Sequence, residues 1–568
     1  MEQVRLIIAL TLSLLVFVLW SHFFAPEEVK RPPANAPEVS RLADTPSSTQ
    51  TGNSTQASSS PVLPPTTQPA YAEQQKDLRK ARTITVDTPL YSVDISERGG
   101  VFKSFVLKNY KETIEADSPL KQLIPEDLPN GTLLTGFGDG SLANMEYTLF
   151  SVNSDTDMID AANAPKSLTF VLDYNAKDGA EKIVVEKTFS FSPETYLIQV
   201  DVKVKNQTSG VFKDHLFVSL VNPEPGKASV YSFEGPGVMI DSKVEQISLK
   251  DIRKKKKDKL SGSFSWMAYI DRYFLSAVVA REAVPSGVHL RAEGNFVESR
   301  YLHPNLVIGP GEEKVFSTDL YFGPKSLTIL KEMDNGLFKV IDFGWFDFIA
   351  RPCLWLMNFI YGFIPNYGVA IILLTLMIKV ILWPLGNKSY KSMNAMKKLQ
   401  PMMQEIRDKY KDNKQKMNEE MMNLYKTYKI NPMSGCLPML LQIPVLFAFY
   451  RMLLESIELR HAPFFGWITD LSAPDRLFAF DGTIPLLSVV MSPPMGIPVL
   501  TIIMGASMFI QQKMSPPPGD PTQAKIMMLM PIFFTFIFLN FSSGLVLYWL
   551  VNNILALLQQ YYVSKKQA

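Results

Sequence analysis

Lys379 is the residue with the most chemical consequence in this chain. It sits in the run Ala-Ile-Ile-Leu-Leu-Thr-Leu-Met-Ile-Lys-Val-Ile-Leu-Trp-Pro-Leu, from Ala370 to Leu385. The run has the composition of a transmembrane helix, and a lysine at mid-bilayer costs roughly 2.5–3.5 kcal/mol on insertion scales. No acid on a neighbouring apolar segment is well placed to offset that cost; Glu455 is nearest in character but lies at the far end of another segment. An unpaired intramembrane cation implies water beside it, or an anionic visitor. The other reading is snorkelling, because the helix-ending Pro384 is only about a turn and a half away at ~1.5 Å per residue. Other chemistry is missing from the sequence. There is no nucleophile elbow, HExxH or Walker motif in the first half. His215, His289 and His303 are scattered, and Cys353 and Cys436 lie in apolar surroundings, as inert packing thiols do. The expectation is no enzyme, no cofactor and no metal.

Composition sets the elements that must hold this lysine. A chain of 568 residues accommodates several domains, and a net charge of +2 gives no bulk electrostatic case for nucleic acid. The mean hydropathy of +0.04 hides a polar first half and a very apolar last third. Methionines crowd into that last third, which suits surfaces that accept varied apolar partners and equally suits membrane helices that tolerate Met.

Leu6 to Phe24 is an apolar run behind Arg5. Its length is near the ~20 residues of a span, and Phe23 and Pro26 are poor cleavage-site residues, so it reads as a retained anchor entered from the cytoplasm. Pro26 to about Gln75 is rich in Pro, Ser, Thr and Gln and reads as a disordered tether. From about Thr83 to Leu327 apolar residues alternate with polar ones, as in Tyr91-Val93-Ile95, Leu168-Phe170-Leu172-Tyr174 and Ile198-Val200-Val202-Val204. Period two predicts a large antiparallel sandwich, on the far side of the membrane from the N-terminus. The basic run Arg253 to Lys257 reads as a solvated loop. Val340 to Tyr361 mixes aromatics with Asp342, Asp347 and Arg351, which predicts a helix lying in the outer interface or packed on the β domain.

The segment carrying Lys379 then crosses inward, to the cationic cluster Lys388, Lys391, Lys397 and Lys398. Met393, Met396, Leu399 and Met403, and after a polar break Met417 and Met421, fall at helical spacing and predict a two-helix hairpin. Its stripes either bury one another or meet a partner. Four more apolar segments follow. Leu437–Leu454 holds Gln442, Met527–Phe541 holds Thr535, and Leu545–Tyr562 holds Tyr548, Trp549 and Asn552. Glu455 is placed to pair with Arg451 one turn earlier. With no acid inside these segments, no nucleotide motif and no evident inverted repeat, the sequence argues against a pump.

Several stretches are familiar. Thr375-Leu376-Met377-Ile378-Lys379 with Pro384-Leu385, Leu399-Gln400-Pro401, Asn431-Pro432 before Gly435-Cys436-Leu437-Pro438, Gln442-Ile443-Pro444, Ile457 to Phe464, Trp467-Ile468 with Asp470-Leu471-Ser472, Gln512 to Pro516 and Ser543 to Trp549 occur in this order. From about Asn366 to Val563 the chain resembles the YidC/Oxa/Alb family of membrane protein insertases, in its Gram-negative form. The resemblance implies a multidomain membrane protein: an uncleaved anchor (1–25), a linker (26–80), a periplasmic antiparallel β-supersandwich (81–335), an interfacial amphipathic helix (336–364) and a core (365–568). The core has five transmembrane helices at about 366–385, 436–455, 496–512, 526–541 and 544–562, and a cytoplasmic helical hairpin at 386–432. Both termini are then cytoplasmic, in the inner membrane.

The resemblance also implies a hydrated groove open to the cytoplasm and lipid, with Lys379 at the position of its cation. Many bacterial members have arginine there; lysine keeps the charge and loses the planar fork of donors. The residues expected to meet a client in the groove are Lys379, Thr375, Gln442, Thr535, Tyr548, Trp549 and Asn552. On the hairpin they are Lys388, Met393, Met396, Leu399, Met403, Met417 and Met421. The implied partners are nascent inner-membrane proteins, the ribosome, the SecYEG translocon with its accessory subunits, and membrane lipid, with no direct nucleic-acid partner. The alternatives are an anion channel or transporter, and an envelope assembly protein acting through a sugar-binding β domain.

Overall fold

The computed structural model describes residues 80–568 apart from 127, 139–143, 176–181, 226–231, 305, 429–436, 481, 483–490, 493, 516–520 and 568. The anchor expected at 1–25 and nearly all of the linker lie outside the described residues, as do Cys436 and Asn431-Pro432.

Strands run from Thr83 to Pro324, interrupted by a short helix α1 (Leu249–Arg253), and helices dominate from α2 (Leu327–Glu332) onward. The strands follow the sequence period. In Leu197–Gln207, Ile198, Val200, Val202 and Val204 are buried while Gln199, Asp201, Lys203 and Lys205 reach solvent. One sheet has five strands, in the order Leu120–Ile124, Val101–Lys111, Tyr91–Ser96, Thr83–Asp87 and Met158–Asp160. A second, twelve-stranded sheet has Phe274–Glu293 and Glu313–Pro324 near its middle. Phe102 and Phe105 of the first sheet meet Phe189 and Phe322 of the second, with ring centroids 5.1 to 5.7 Å apart, so the two sheets share one core. One pairing departs from the antiparallel expectation: Thr83–Asp87 runs parallel to Met158–Asp160. The intervening chain supplies the long crossover that a parallel pair needs. In the basic run, Arg253 pairs with Glu224 and Lys257 with Glu245, and Lys254 to Lys256 are exposed.

Lys187 is a cation inside the sandwich. Its Nζ donates to the carbonyls of Gly100 (2.9 Å) and Leu133 (3.2 Å) and lies 5.1 Å from the Phe189 ring centroid. Burial pulls its pKa down to about 7.

The remaining helices are α3 (Asp347–Phe363), α4 (Tyr367–Ile381), α5 (Trp383–Lys409), α6 (Lys414–Thr427), α7 (Leu437–Glu455), α8 (Val499–Met514), α9 (Pro521–Phe538) and α10 (Ser543–Gln567). Asn366 caps α4 by accepting from the Val369 N–H, and Asn413 caps α6 by accepting from Lys416. The helix expected at about 366–385 runs from Tyr367 to Ile381, and a second helix sets off at Trp383, so that α4 and α5 meet at 66° across Leu382. Pro384 explains the break, since it has no N–H to continue the ladder and is tolerated in the first turn of a new helix. Helix α10 is the hub, packing on α4, α5, α7 and α8, while α9 packs on α8 and α3 on α4 and α7. Among the described residues no single helix is long and apolar enough to cross a membrane; the bent pair α4–α5 passes that test when taken together.

Side chains from the last strand and its neighbours hold the helices in place. Lys325 Nζ lies 3.4 Å from Glu455 Oε2, the two side chains being 1% and 7% exposed, and Arg451 approaches the other carboxylate oxygen at 3.5 Å. Ser326 donates to Glu458, Arg272 to the Leu454 carbonyl (3.0 Å), and Arg460 to the carbonyls of Lys111 and Glu112. Desolvation lowers the Lys325 pKa, opposed by Glu455.

Two outcomes follow from these buried cations. Between about pH 7 and the unfolded-lysine value near 10.5, unfolded Lys187 holds a proton that folded Lys187 has released. Stability therefore rises with pH across that window. Thermal unfolding of the full-length protein between pH 7 and 9 should show the rise, and Lys187→Met should remove it. At the junction, Lys325→Met leaves the buried Glu455 carboxylate with the partly exposed Arg451 in place of its buried partner and should cost about 3 kcal/mol. Lys325→Met with Glu455→Leu should recover most of that loss in a double-mutant cycle, because Arg451 is partly exposed and reaches water.

Candidate functional site

Side chains from α4, α5, α7 and α10 converge on a cavity of about 60 Å³. Thr375, Ile378 and Lys379 come from α4, with Leu382 at the break; Leu385, Gly386 and Tyr390 come from α5, Gln442 and Val445 from α7, and Tyr548, Asn552 and Gln559 from α10. The spacing on α4 is i, i+3, i+4 and i+7, one face of a helix continued across the bend. A cavity of this size, walled by polar side chains set among apolar ones, has room for a few waters.

Lys379 is half-buried on this wall. Among the described residues its hydrogen-bond partner is the neutral Asn552 Oδ1, at 3.4 Å, and no carboxylate pairs with it. The ammonium has three donors, so its positive charge is available to a visitor or to water. The Thr375 hydroxyl is turned back on its own helix, donating to Ile371 O at 2.6 Å. Tyr548 is buried, stacks on Phe449 with centroids 4.5 Å apart, and is hydrogen-bonded to Gln442. These contacts leave the wall ordered and the cation as its most weakly satisfied group.

Five of the seven groove residues expected from the sequence therefore gather here: Thr375, Lys379, Gln442, Tyr548 and Asn552. Thr535 and Trp549 lie elsewhere. Thr535 donates to Pro531 O and fills the space above Gly505 of α8. Trp549 packs against Phe534 and Phe538, 4.9 Å from the latter, because one residue turns a helix by about 100° and carries it off the face of Tyr548. Gln559, Tyr390 and Gly386 were not singled out from sequence. The signal for Gln559 was present: residues 548, 552 and 559 follow a single helical stripe.

On the hairpin, Lys388 is exposed, and Met393, Met396, Met417 and Met421 are half-buried. Leu399 and Met403 are buried, and the Tyr425 hydroxyl reaches Met403 Sδ at 3.9 Å, so part of the stripe seals the hairpin itself. Among the described residues no group of three or more His, Cys, Asp or Glu side chains is arranged to hold a metal.

The sequence profile of the 60Kd inner membrane protein family matches residues 359–568, and that of the YidC periplasmic domain matches 83–356. Together they define a two-part inner-membrane protein: a helical core with a periplasmic β domain. The chain is 38% identical over 573 residues to the membrane protein insertase YidC of Syntrophus aciditrophicus, covering 99% of both chains. It is 39% identical over 570 residues to that of Pelobacter propionicus, again covering 99% of each. A crystal structure of an active YidC insertase aligns with 85% of this chain and 93% of its own, at 20% identity and a TM-score of 0.36. The chain belongs to the YidC family of membrane protein insertases.

Proposed function

We propose that this protein inserts inner-membrane proteins, and that the Lys379 cavity receives the polar segment that each client must move across the membrane. The observation that carries the reading is the half-buried cation of Lys379, whose partner among the described residues is a neutral amide, on the wall of a cavity it shares with polar and apolar side chains. Buried charges are normally paired, and this one is poised for a partner that comes and goes.

A belt of exposed apolar side chains supports a lipid setting. Leu376, Val380 and Ile381 on α4, Ile502, Ile503 and Ile510 on α8, Leu529, Ile532, Phe533 and Phe536 on α9, and Ile554 and Leu558 on α10 are all exposed. So large an apolar surface demands an apolar solvent or partner. In this reading α4, α7, α8, α9 and α10 are the five spans. Helix α4 has 15 residues and α8 has 16, about 22–24 Å of helix against ~30 Å of hydrocarbon, so the bilayer thins beside them. Helix α3 lies in the outer interface. It buries Ala350, Cys353, Leu354 and Met357 and exposes Phe348, Trp355, Phe359 and Phe363, with Trp345 just before it 95% exposed.

The client's apolar span slides along the lipid-facing belt while its short polar segment enters the cavity. There Lys379 attracts acidic side chains and offsets part of their desolvation. The hairpin α5–α6 meets the ribosome or the client first, and the β domain stands in the periplasm. The protein works alone or beside the SecYEG translocon. Partitioning of apolar surface into lipid supplies the free energy, helped by the membrane potential where outer segments are negative, and no covalent step is required.

Proteoliposomes carrying the full-length protein should insert a single-span client with a short acidic outer tail. Lys379→Ala and Lys379→Glu should each lower the initial rate roughly tenfold or more, the effect of losing one charge-assisted contact, and Lys379→Arg should retain it. Insertion at the wild-type rate in all three would remove the cation from the mechanism.

A further inference from the structure

We infer that Gln559 is a positioning residue that latches α5 to α10 and so fixes the mouth of the Lys379 cavity. The inference deepens the insertase reading and rests on it for its functional half.

Pro384 interrupts the backbone ladder, and Leu382 N–H to Ile378 O and Gly386 N–H to Leu382 O are the bonds that link α4 to α5. A break of this kind leaves the angle between two helices to side-chain ties. Gln559, 1% exposed, supplies one. Its Nε2 donates to the Trp383 carbonyl and to Asn387 Oδ1, each at 3.0 Å, on the first turn of α5. Gly386 lies between these two acceptors in the chain, and a Cβ there would come within 2.7 Å of the Gln559 amide. The amide therefore rests on a bare backbone that only glycine provides. A second tie, Asn394 Nδ2 to Ser564 Oγ at 3.2 Å, follows farther along the same pair of helices.

The consequence lies in where the cavity walls sit. Thr375 and Lys379 are on the α4 side of the bend; Leu385, Gly386 and Tyr390 are on the α5 side. A change in the 66° angle moves one set against the other. Tyr548 and Asn552, on the same helix as Gln559, form the opposite wall. A buried donor shared between two acceptors thus holds the cation's surroundings and the base of the hairpin in one arrangement.

Two variants break the latch by different routes. Gln559→Met keeps length and removes the donor, and Gly386→Ala displaces the amide with a methyl group. In full-length protein with Cys353 and Cys436 replaced by alanine, spin labels on exposed positions Gln404 of α5 and Met528 of α9 report the angle. Both variants should broaden the distance distribution and slow insertion of the acidic-tailed client, on the order of tenfold. A short bismaleimide bridge between Asn394→Cys and Ser564→Cys should restore insertion to Gln559→Met, which a merely destabilised protein would not show. Unchanged distributions in both variants would overturn the latch. Broadened distributions with wild-type insertion would overturn its link to the cavity. Wild-type protein that fails to insert, with variants that still broaden, would leave the latch standing and sink the insertase reading instead.

Discussion

A positive charge in apolar surroundings needs a partner, and much of the helical region is arranged around the fact that Lys379 has so little of one. The ammonium meets the Asn552 amide at 3.4 Å and otherwise faces a small cavity of mixed polar and apolar lining. Four helices must meet to enclose that space, and α10 brings them together. Along α10, Leu545 to Tyr548 are buried in succession, and Asn553 donates to Ser507 of α8 at 3.1 Å. Polar side chains on the buried face of such a helix need internal partners, and Asn553 and Gln559 have them. The same helix therefore holds the bundle together and presents the polar groups opposite Lys379.

The β region is tied to the helices by buried charge. Lys325 closes the last strand, Glu455 closes α7, and together they exclude water. Ion pairs of this kind contribute little net stability but penalise any arrangement that separates them, because Lys325 would then be buried without the carboxylate that offsets its desolvation. Arg460, reaching the carbonyls of Lys111 and Glu112, makes a second polar tie with the same consequence. The C-terminal end of α7 is thus held by the sandwich. Its inner face, through Gln442 and Val445, lines the cavity.

Much of this was legible in the sequence where the signal is local. Ile198 to Val204 announced a strand with one buried face, and Met393 to Met403 announced a helix. The pairing of Thr83–Asp87 with Met158–Asp160 was not legible, because it joins segments some seventy residues apart and no local period encodes it. Pro384 was read as the end of a helix, and α4 does end just before it; the 66° at which the next helix sets off was not legible, because no local period encodes it. Within the site, residue type pointed to Lys379, Tyr548 and Asn552, but rotational phase decided membership. Trp549 and Thr535 lie off the face that lines the cavity, and Gln559, which residue type alone did not single out, lies on it. The family resemblance supplied a groove; the side chains that wall this cavity came from the structure.

In the proposed mechanism Lys379 stands in a hydrated space reached from the cytoplasm. The most direct test uses Gln442, on the cavity wall, as a reporter of water. With Cys353 and Cys436 replaced by alanine, Gln442→Cys in sealed membrane vesicles is offered a membrane-impermeant maleimide from one side at a time. Modification from the cytoplasmic side, with protection from the periplasmic side, is the predicted result. A thiol that reacts from neither side would mean a dry cavity, and one that reacts equally from both would mean a pore; either would contradict the account.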